Sequence, residues 1–295
     1  MSTPRIWMDG HLVDASAAHT SLLAPALHYG LGVFEGIRSY ATPRGPAIFR
    51  LEAHMARMAR GAEALGMPFN AETCAQACID TLADSGFGDA YLRPLAFYGQ
   101  GTLGLDVDRH TTRLMVAALP WQNHLGEAAA RGVRAHRSAM QRNTAQAIPP
   151  LKLCGGYVNS VLAKRQATLA GFDEALFVDE RGFAVEATGE NVFLVKDGRV
   201  TAVEHPDALP GITRATVMEL TGAESRPVTL QELLEADEVF LTGTSAEITP
   251  LIALDAHTWR AGAITLDLRR RYLTTVRGAV DLSESWLTRL EPVTA

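Results

Sequence analysis

Asn143 to Ala163 reads NTAQAIPPLKLCGGYVNSVLA, and within these 21 residues Lys152 is the only charged side chain. Arginine has replaced lysine almost everywhere else, since only three of the 27 basic residues are lysines. The other two have ordinary explanations. Lys164 falls on the expected solvent face of a helix, and Lys196 sits in the hairpin turn VKDGR (195–199), where an amine reaches water along its own stem. A lone amine in an apolar, glycine-flanked segment is suited to lose its proton, attack a carbonyl carbon and form a Schiff base.

Outward from Lys152, the pattern alternates strand and helix signals without a strict βαβ rhythm, which favours a mixed α/β (α+β) fold over a parallel dinucleotide-binding sheet. RIWMDGHLV (5–13) reads as a hairpin about Asp9-Gly10, and VFEGIRSY through Ile48 as a second about Thr42 to Gly45. Leu51, Met55, Met58, Ala62 and Leu65 recur at helical spacing, and a cysteine-bearing helix stops at Gly86. AYLRPLAFYG (90–99) and RLMVAALPW (113–121) are strands. After Trp121 the strand character lapses until GVRAHRS (132–138), so a smaller N-terminal domain is expected over 1–120, a loop over 121–132 and a larger domain over 133–295. In the second domain Val158, Val161, Leu162 and Leu169 mark a helix ending at Gly171, followed by strands turning at Glu180-Arg181-Gly182 and Asp197-Gly198.

The chain has 295 residues, 47% hydrophobic, enough to bury a large core. A net charge of -6, with the arginines scattered, argues against nucleic-acid or anionic-membrane binding. Cys74, Cys78 and Cys154 show no zinc-ligand spacing and read as small core residues, and no metal is expected. The start MSTPRIWMDGHLVD lacks signal-peptide character, so a cytoplasmic location is expected.

Amine chemistry at an imine needs an electron sink, and pyridoxal phosphate supplies one where the protein offers a lysine, a carboxylate for the ring nitrogen and a phosphate cup. Glu186, in VEATGENVF (185–193), is the candidate acid. LPGITR (209–214) places Pro and Gly ahead of Ile212 and Thr213 at a helix start, where N–H groups can face an anion. In LTGTSAEITP (241–250), Gly243 to Ala246 could form an amide nest, and Arg57, off the apolar stripe of its helix, could supply a fixed cation.

Taken in order, YGLGVFEGIRSY (29–40), AYLRP (90–94), Lys152 with Tyr157, VEATGENVF, LPGITR and GTSAEITP resemble the class IV, fold type IV, pyridoxal-phosphate aminotransferases, and most of all the branched-chain-amino-acid aminotransferases. The resemblance implies two α/β domains with the cofactor between them. It implies that Lys152 forms the Schiff base, that Glu186 pairs with the pyridine nitrogen, and that Tyr157 bonds the phenolic oxygen. Arg57, the amides of Ile212 and Thr213, and Thr244 would hold the phosphate. Tyr91 and Arg93, with amides of Thr244, Ser245 and Ala246, would receive substrate carboxylates. Tyr29, Phe34, Gly36 and Trp121 would line the side-chain pocket, with Glu35 and Arg38 shaping its wall. The activity implied is ping-pong transamination between L-leucine, isoleucine or valine and 2-oxoglutarate. D-amino-acid or (R)-amine transamination and an aminodeoxychorismate-type lyase are the alternatives within the same fold. The sequence departs from the usual motif at LCGGY (153–157) and carries His124 in PWQNHLG (120–126), where relatives place an aromatic residue. A homodimer or higher homo-oligomer is implied, with Gln100 to Asp106 closing the neighbouring subunit's site.

Overall fold

The structure is a computed structural model that describes residues 5–100, 103–121, 131–279 and 285–290. His124, Gly101, Thr102 and most of the expected 121–132 loop lie outside the described residues. Packing separates the described residues into two units: those of Met1–Trp121, Leu151–Gly155 and Thr274–Ala295, and those of Gln122–Pro150 and Gly156–Leu273.

In the first unit, β1 (Arg5–Met8) and β2 (His11–Asp14) pair with Met8 opposite His11. Asp9 and Gly10 between them have φ of 48° and 104°, the left-handed geometry that lets a two-residue turn follow the strand twist. Next come α1 (Pro25–Tyr29), β3 (Gly32–Phe34), β4 (Ile37–Thr42) and β5 (Gly45–Phe49). The helices α2 (Leu51–Ala64) and α3 (Ala71–Ser85) separate them from the long strands β6 (Ala90–Gln100) and β7 (Thr111–Pro120). The strands form one antiparallel sheet in the order Leu287–Arg289, β5, β4, β6, β7, β1, β2, with β3 also paired to β6. Asn70 caps α3 by accepting the Thr73 amide at 2.8 Å, and Gly86 ends it in the left-handed conformation. Cys74 and Cys78 are buried free thiols on the inner face of α3.

The second unit contains β8 (Val133–Arg137), α4 (Tyr157–Leu169), β9 (Glu174–Val178), β10 (Ala184–Ala187), β11 (Asn191–Lys196) and β12 (Arg199–Val203). It continues through α5 (Ile212–Thr221), β13 (Glu224–Arg226), α6 (Leu230–Leu234), β14 (Glu238–Gly243), β15 (Glu247–Leu254) and β16 (His257–Thr258). The sheet order is β10, β9, β8, β15, β14, β11, β12, β13, with β16 on β15. β8 runs parallel to β9 and β15, and β12 parallel to β13, while the remaining pairs are antiparallel. This is the mixed α/β arrangement expected from the sequence.

Two-residue alternation along β9 serves both faces of this sheet. Leu176 and Val178 join one apolar cluster, and Ala175 and Phe177 another that includes Ala163 and Ala167 of α4. Here the helical face differs from expectation, because α4 buries Ser160, Ala163 and Ala167 while Val158, Val161, Leu162 and Leu169 are exposed. Small side chains let the helix approach the sheet closely, so the larger residues are left on the opposite face.

A division by chain position differs from the packing at two segments, Leu151–Gly155 and Thr274–Ala295. The lysine segment hydrogen-bonds along β3: the Phe34 amide donates to the Lys152 carbonyl at 3.2 Å, and the Cys154 and Gly155 amides donate to the carbonyls of Gly32 and Gly30 at 2.9 and 3.2 Å. Leu153 bridges Val33 in the antiparallel sense. Backbone pairing thus attaches Lys152 to the first unit.

Candidate active site

Phe34, at the end of β3, is the hub of a side-chain group in the first unit. Its ring has Nζ of Lys152 5.2 Å from the centroid and Cζ of Arg93 4.9 Å away. Arg93 and Tyr91 occupy alternate positions of β6 and share a face, where Nη2 of Arg93 donates to the Tyr91 hydroxyl at 3.0 Å. Tyr91 stacks on Trp121 at 6.1 Å, and the buried guanidinium of Arg38 lies 3.5 Å from the Trp121 ring centroid on Trp121's own unit. Gly36 makes this arrangement possible: a Cβ there would stand 1.8 Å from the Tyr91 hydroxyl. Tyr29 is 42% exposed, with its ring 6.2 Å from that of His28.

Beneath lies a buried charged trio. Arg57, expected off the apolar stripe of α2, is only 4% exposed. Its Nε and Nη2 donate to the two oxygens of Glu35 at 2.7 and 2.8 Å, and Nδ1 of His54 lies 2.8 Å from Glu35 Oε2. Burial would raise the Glu35 carboxyl, but the Arg57 guanidinium, followed by His54, holds it well below the usual carboxylate range. Burial pushes the His54 imidazole down despite Glu35, so the ring is a neutral donor and Arg57 is the cation that keeps Glu35 ionised. Glu35, expected to shape a substrate wall, is therefore turned to Arg57.

In the second unit, Glu186 on β10 is buried and held by named donors. Nε of Arg142 donates to its Oε1 at 2.7 Å, while Nδ2 of Asn191 and the Leu209 amide donate to Oε2 at 3.3 and 3.0 Å. Nη1 of Arg142 also donates to Oδ1 of Asn159 at 3.2 Å, and Asn143 donates to the Gly156 carbonyl at 3.0 Å. Gly156 is the N-cap of α4, so one hydrogen-bonded group sets both Glu186 and the helix start that carries Tyr157. Gly211 caps α5, placing Ile212 and Thr213 in its first turn, whose amides lie outside the helix's own ladder. Thr244, Ser245 and Ala246 form the turn between β14 and β15. Among the described residues there is no cluster suited to a metal ion and no helix long and apolar enough to cross a membrane.

The family pattern described as "Amino-transferase class IV" matches residues 32–254. This chain belongs to the class IV aminotransferases. Among similar members, the branched-chain-amino-acid aminotransferase of Pseudomonas aeruginosa is 36% identical over 295 residues, covering 96% of each chain. A branched-chain amino acid aminotransferase of T.th. solved with pyridoxamine 5'-phosphate superposes with a TM-score of 0.93 at 42% identity, covering 99% of this chain and 100% of the other. Its complex with 4-methylvaleric acid gives 0.91 at 40% identity, with the same coverage. As a class IV aminotransferase the chain is a transferase, and its mixed α/β sheets are those of the fold type IV enzymes.

The sequence singled out Lys152, Arg57, Glu186 and the turns at 209–214 and 243–246, but not the partners of Arg57 and Glu186. Arg142 sits immediately before a charge-free run that reaches to Lys152, and His54 lies one helical turn before Arg57; only a helix spacing of three hinted at the latter. Lys164 is a further difference. Its side chain is part-exposed, and its amine reaches the buried Glu174 carboxylate at 2.6 Å.

Proposed function

We propose that this aminotransferase moves the amino group of L-leucine, L-isoleucine or L-valine to 2-oxoglutarate through pyridoxal 5'-phosphate in two alternating half-reactions. The observation that carries the reading is the Phe34 ring shared by the Lys152 amine and the Arg93 guanidinium. It sets an imine-forming nitrogen near a cation suited to a carboxylate, the two groups that flank the α-carbon of an amino acid.

The donor set fits the cofactor: an amine at Lys152, a carboxylate at Glu186 already fixed by Arg142 and Asn191, first-turn amides on α5 and a buried guanidinium at Arg57. When bound, pyridoxal phosphate supplies the carbonyl carbon for the imine and a ring that draws electron density from the substrate α-carbon. Glu186 would hold the ring nitrogen and Tyr157 the phenolic oxygen. Arg57, Thr244 and the amides of Ile212 and Thr213 would hold the phosphate. Nζ of Lys152, as a free amine, would serve as the base that takes the proton from the substrate α-carbon and as the acid that returns it. Tyr91, Arg93 and the amides of Thr244 to Ala246 orient the substrate carboxylate, while Phe34, Gly36, Trp121, Arg38 and Tyr29 bound its branched side chain.

The assembly is a homodimer or larger homo-oligomer, and the exposed Leu103 and Leu105 are apolar groups for a second copy to cover. The free thiols Cys74, Cys78 and Cys154 suit a reducing cytoplasm.

The test is the visible absorption of the purified holoenzyme during addition of L-leucine, D-alanine or (R)-1-phenylethylamine, followed by 2-oxoglutarate. Bleaching with L-leucine and recovery with the oxo acid are expected. Bleaching with only the D-acid or the amine would reassign the substrate, and an unchanged response in Lys152→Ala would remove that lysine's role.

A further inference from the structure

Of the buried glutamates of the second unit, Glu174, Glu186 and Glu190 lie near two cations, Lys164 and Arg142. Glu174 pairs with Lys164 at 2.6 Å and also accepts the Ala175 amide at 2.7 Å and the Thr188 hydroxyl at 2.5 Å. Glu186 pairs with Arg142 at 2.7 Å. Glu190, 9% exposed, has a single donor among the described residues, the Gly189 amide at 3.2 Å. Among the described residues Glu174 and Glu186 each pair directly with a cation and Glu190 does not, which disfavours ionisation of the buried carboxyl.

Glu190 lies against Gly243, the last residue of β14 before the turn to β15. A Cβ built on Gly243 would be 3.2 Å from Glu190 Cγ and 3.2 Å from the Gly189 carbonyl, so the missing side chain lets this strand end pack closely on the Glu190 side chain. The charged groups facing Glu190 are Glu174 at the start of β9, Lys164 on α4 and Glu186 on β10, and Glu247 follows the turn at the head of β15. Burial, then the charge of Glu174, pushes Glu190 up to about 8, with Lys164 opposing.

We propose that Glu190 is a protonated carboxyl whose neutrality lets the Gly243 to Ala246 turn accept an anion, so that its ionisation weakens carboxylate binding there. A neutral acid leaves the field of the turn's amides intact; an ionised one places a negative charge beneath the anion in a poorly screened interior. Glu190 is a positioning residue, acting through the turn. The inference rests on the reading of that turn as part of the substrate-carboxylate subsite.

The experiment uses the holoenzyme and two probes of one shape, 4-methylvalerate and its uncharged amide, titrated between about pH 6.5 and about pH 9.5, either side of the expected ionisation. In the wild type, affinity for the acid should fall about tenfold across this range while the amide changes little. In Glu190→Gln the acid's affinity should vary by less than about threefold. An equal alkaline loss in the Gln variant overturns the proposal, as does an equal loss for the amide, which would mark a purely structural change. If 4-methylvalerate fails to bind the wild type at any pH, the carboxylate subsite itself is wrong and both ideas fall. Should the variant not fold, infrared titration of the wild type decides: a protonated-carboxyl band must disappear at the pH where affinity falls, and absence of that band overturns the proposal.

Discussion

The two units bury their charges on opposite terms. In the first, one carboxylate, Glu35, faces the Arg57 cation and a neutral His54, and every recorded partner lowers the cost of keeping Glu35 ionised. In the second, Glu174, Glu186 and Glu190 lie near Lys164 and Arg142, and burial with the charge of Glu174 pushes Glu190 up to about 8. The contrast teaches that depth of burial does not set the state of an acid. The balance of counter-charge and hydrogen-bond donors around it does.

The largest expected effect comes from breaking the balanced side. Arg57→Met leaves Glu35 buried without its cation and should cost about 3–5 kcal/mol in denaturant unfolding. Arg142→Met should cost less, about 2–3 kcal/mol, because Glu186 keeps the donors Asn191 and Leu209. An equal loss in the two variants would break the comparison.

Stability against pH sharpens it, because the two units carry contributions of opposite sign. Glu190 binds its proton more tightly when folded than at the ordinary value of 4.5, so its contribution is present below 4.5 and is lost as pH rises toward about 8. His54 binds its proton more weakly when folded than at the ordinary 6.5, so its contribution is present above 6.5 and is lost as pH falls below it. Each slope approaches about 1.4 kcal/mol per pH unit at most. Urea unfolding across this range should show the alkaline decline flatten in Glu190→Gln; an unaltered decline would assign it elsewhere.

The smallest effect is expected at Lys164→Met, about 1 kcal/mol, since Lys164 is 38% exposed on its side chain and Glu174 retains its amide and hydroxyl donors. A loss as large as that of Arg57→Met would show that Lys164 carries more of the cluster than its exposure allows.

Local grammar made much of this legible. Asp9-Gly10 declared a hairpin, Gly86 a helix end, and the ordered motifs from YGLGVFEGIRSY to GTSAEITP the family and its lysine, because turn geometry, helix periodicity and motif spacing are written in neighbouring residues. Partnerships formed across long stretches of chain were not. Nothing local announces that Arg142 will meet Glu186, 44 positions away, or that Glu35 will turn to Arg57. Nor could periodicity choose which face of α4 is buried, since the sheet accepted the small residues Ala163 and Ala167 over the larger apolar ones.

The sequence by itself determined the class of chemistry, through one lysine in an uncharged segment and the acids and anion-facing turns arranged around it in order. Only the tertiary structure decided which partners those acids meet and the unit to which Lys152 is attached. Both depend on what long-range packing brings within hydrogen-bond reach, β3 for the lysine segment and two cations for three carboxyls.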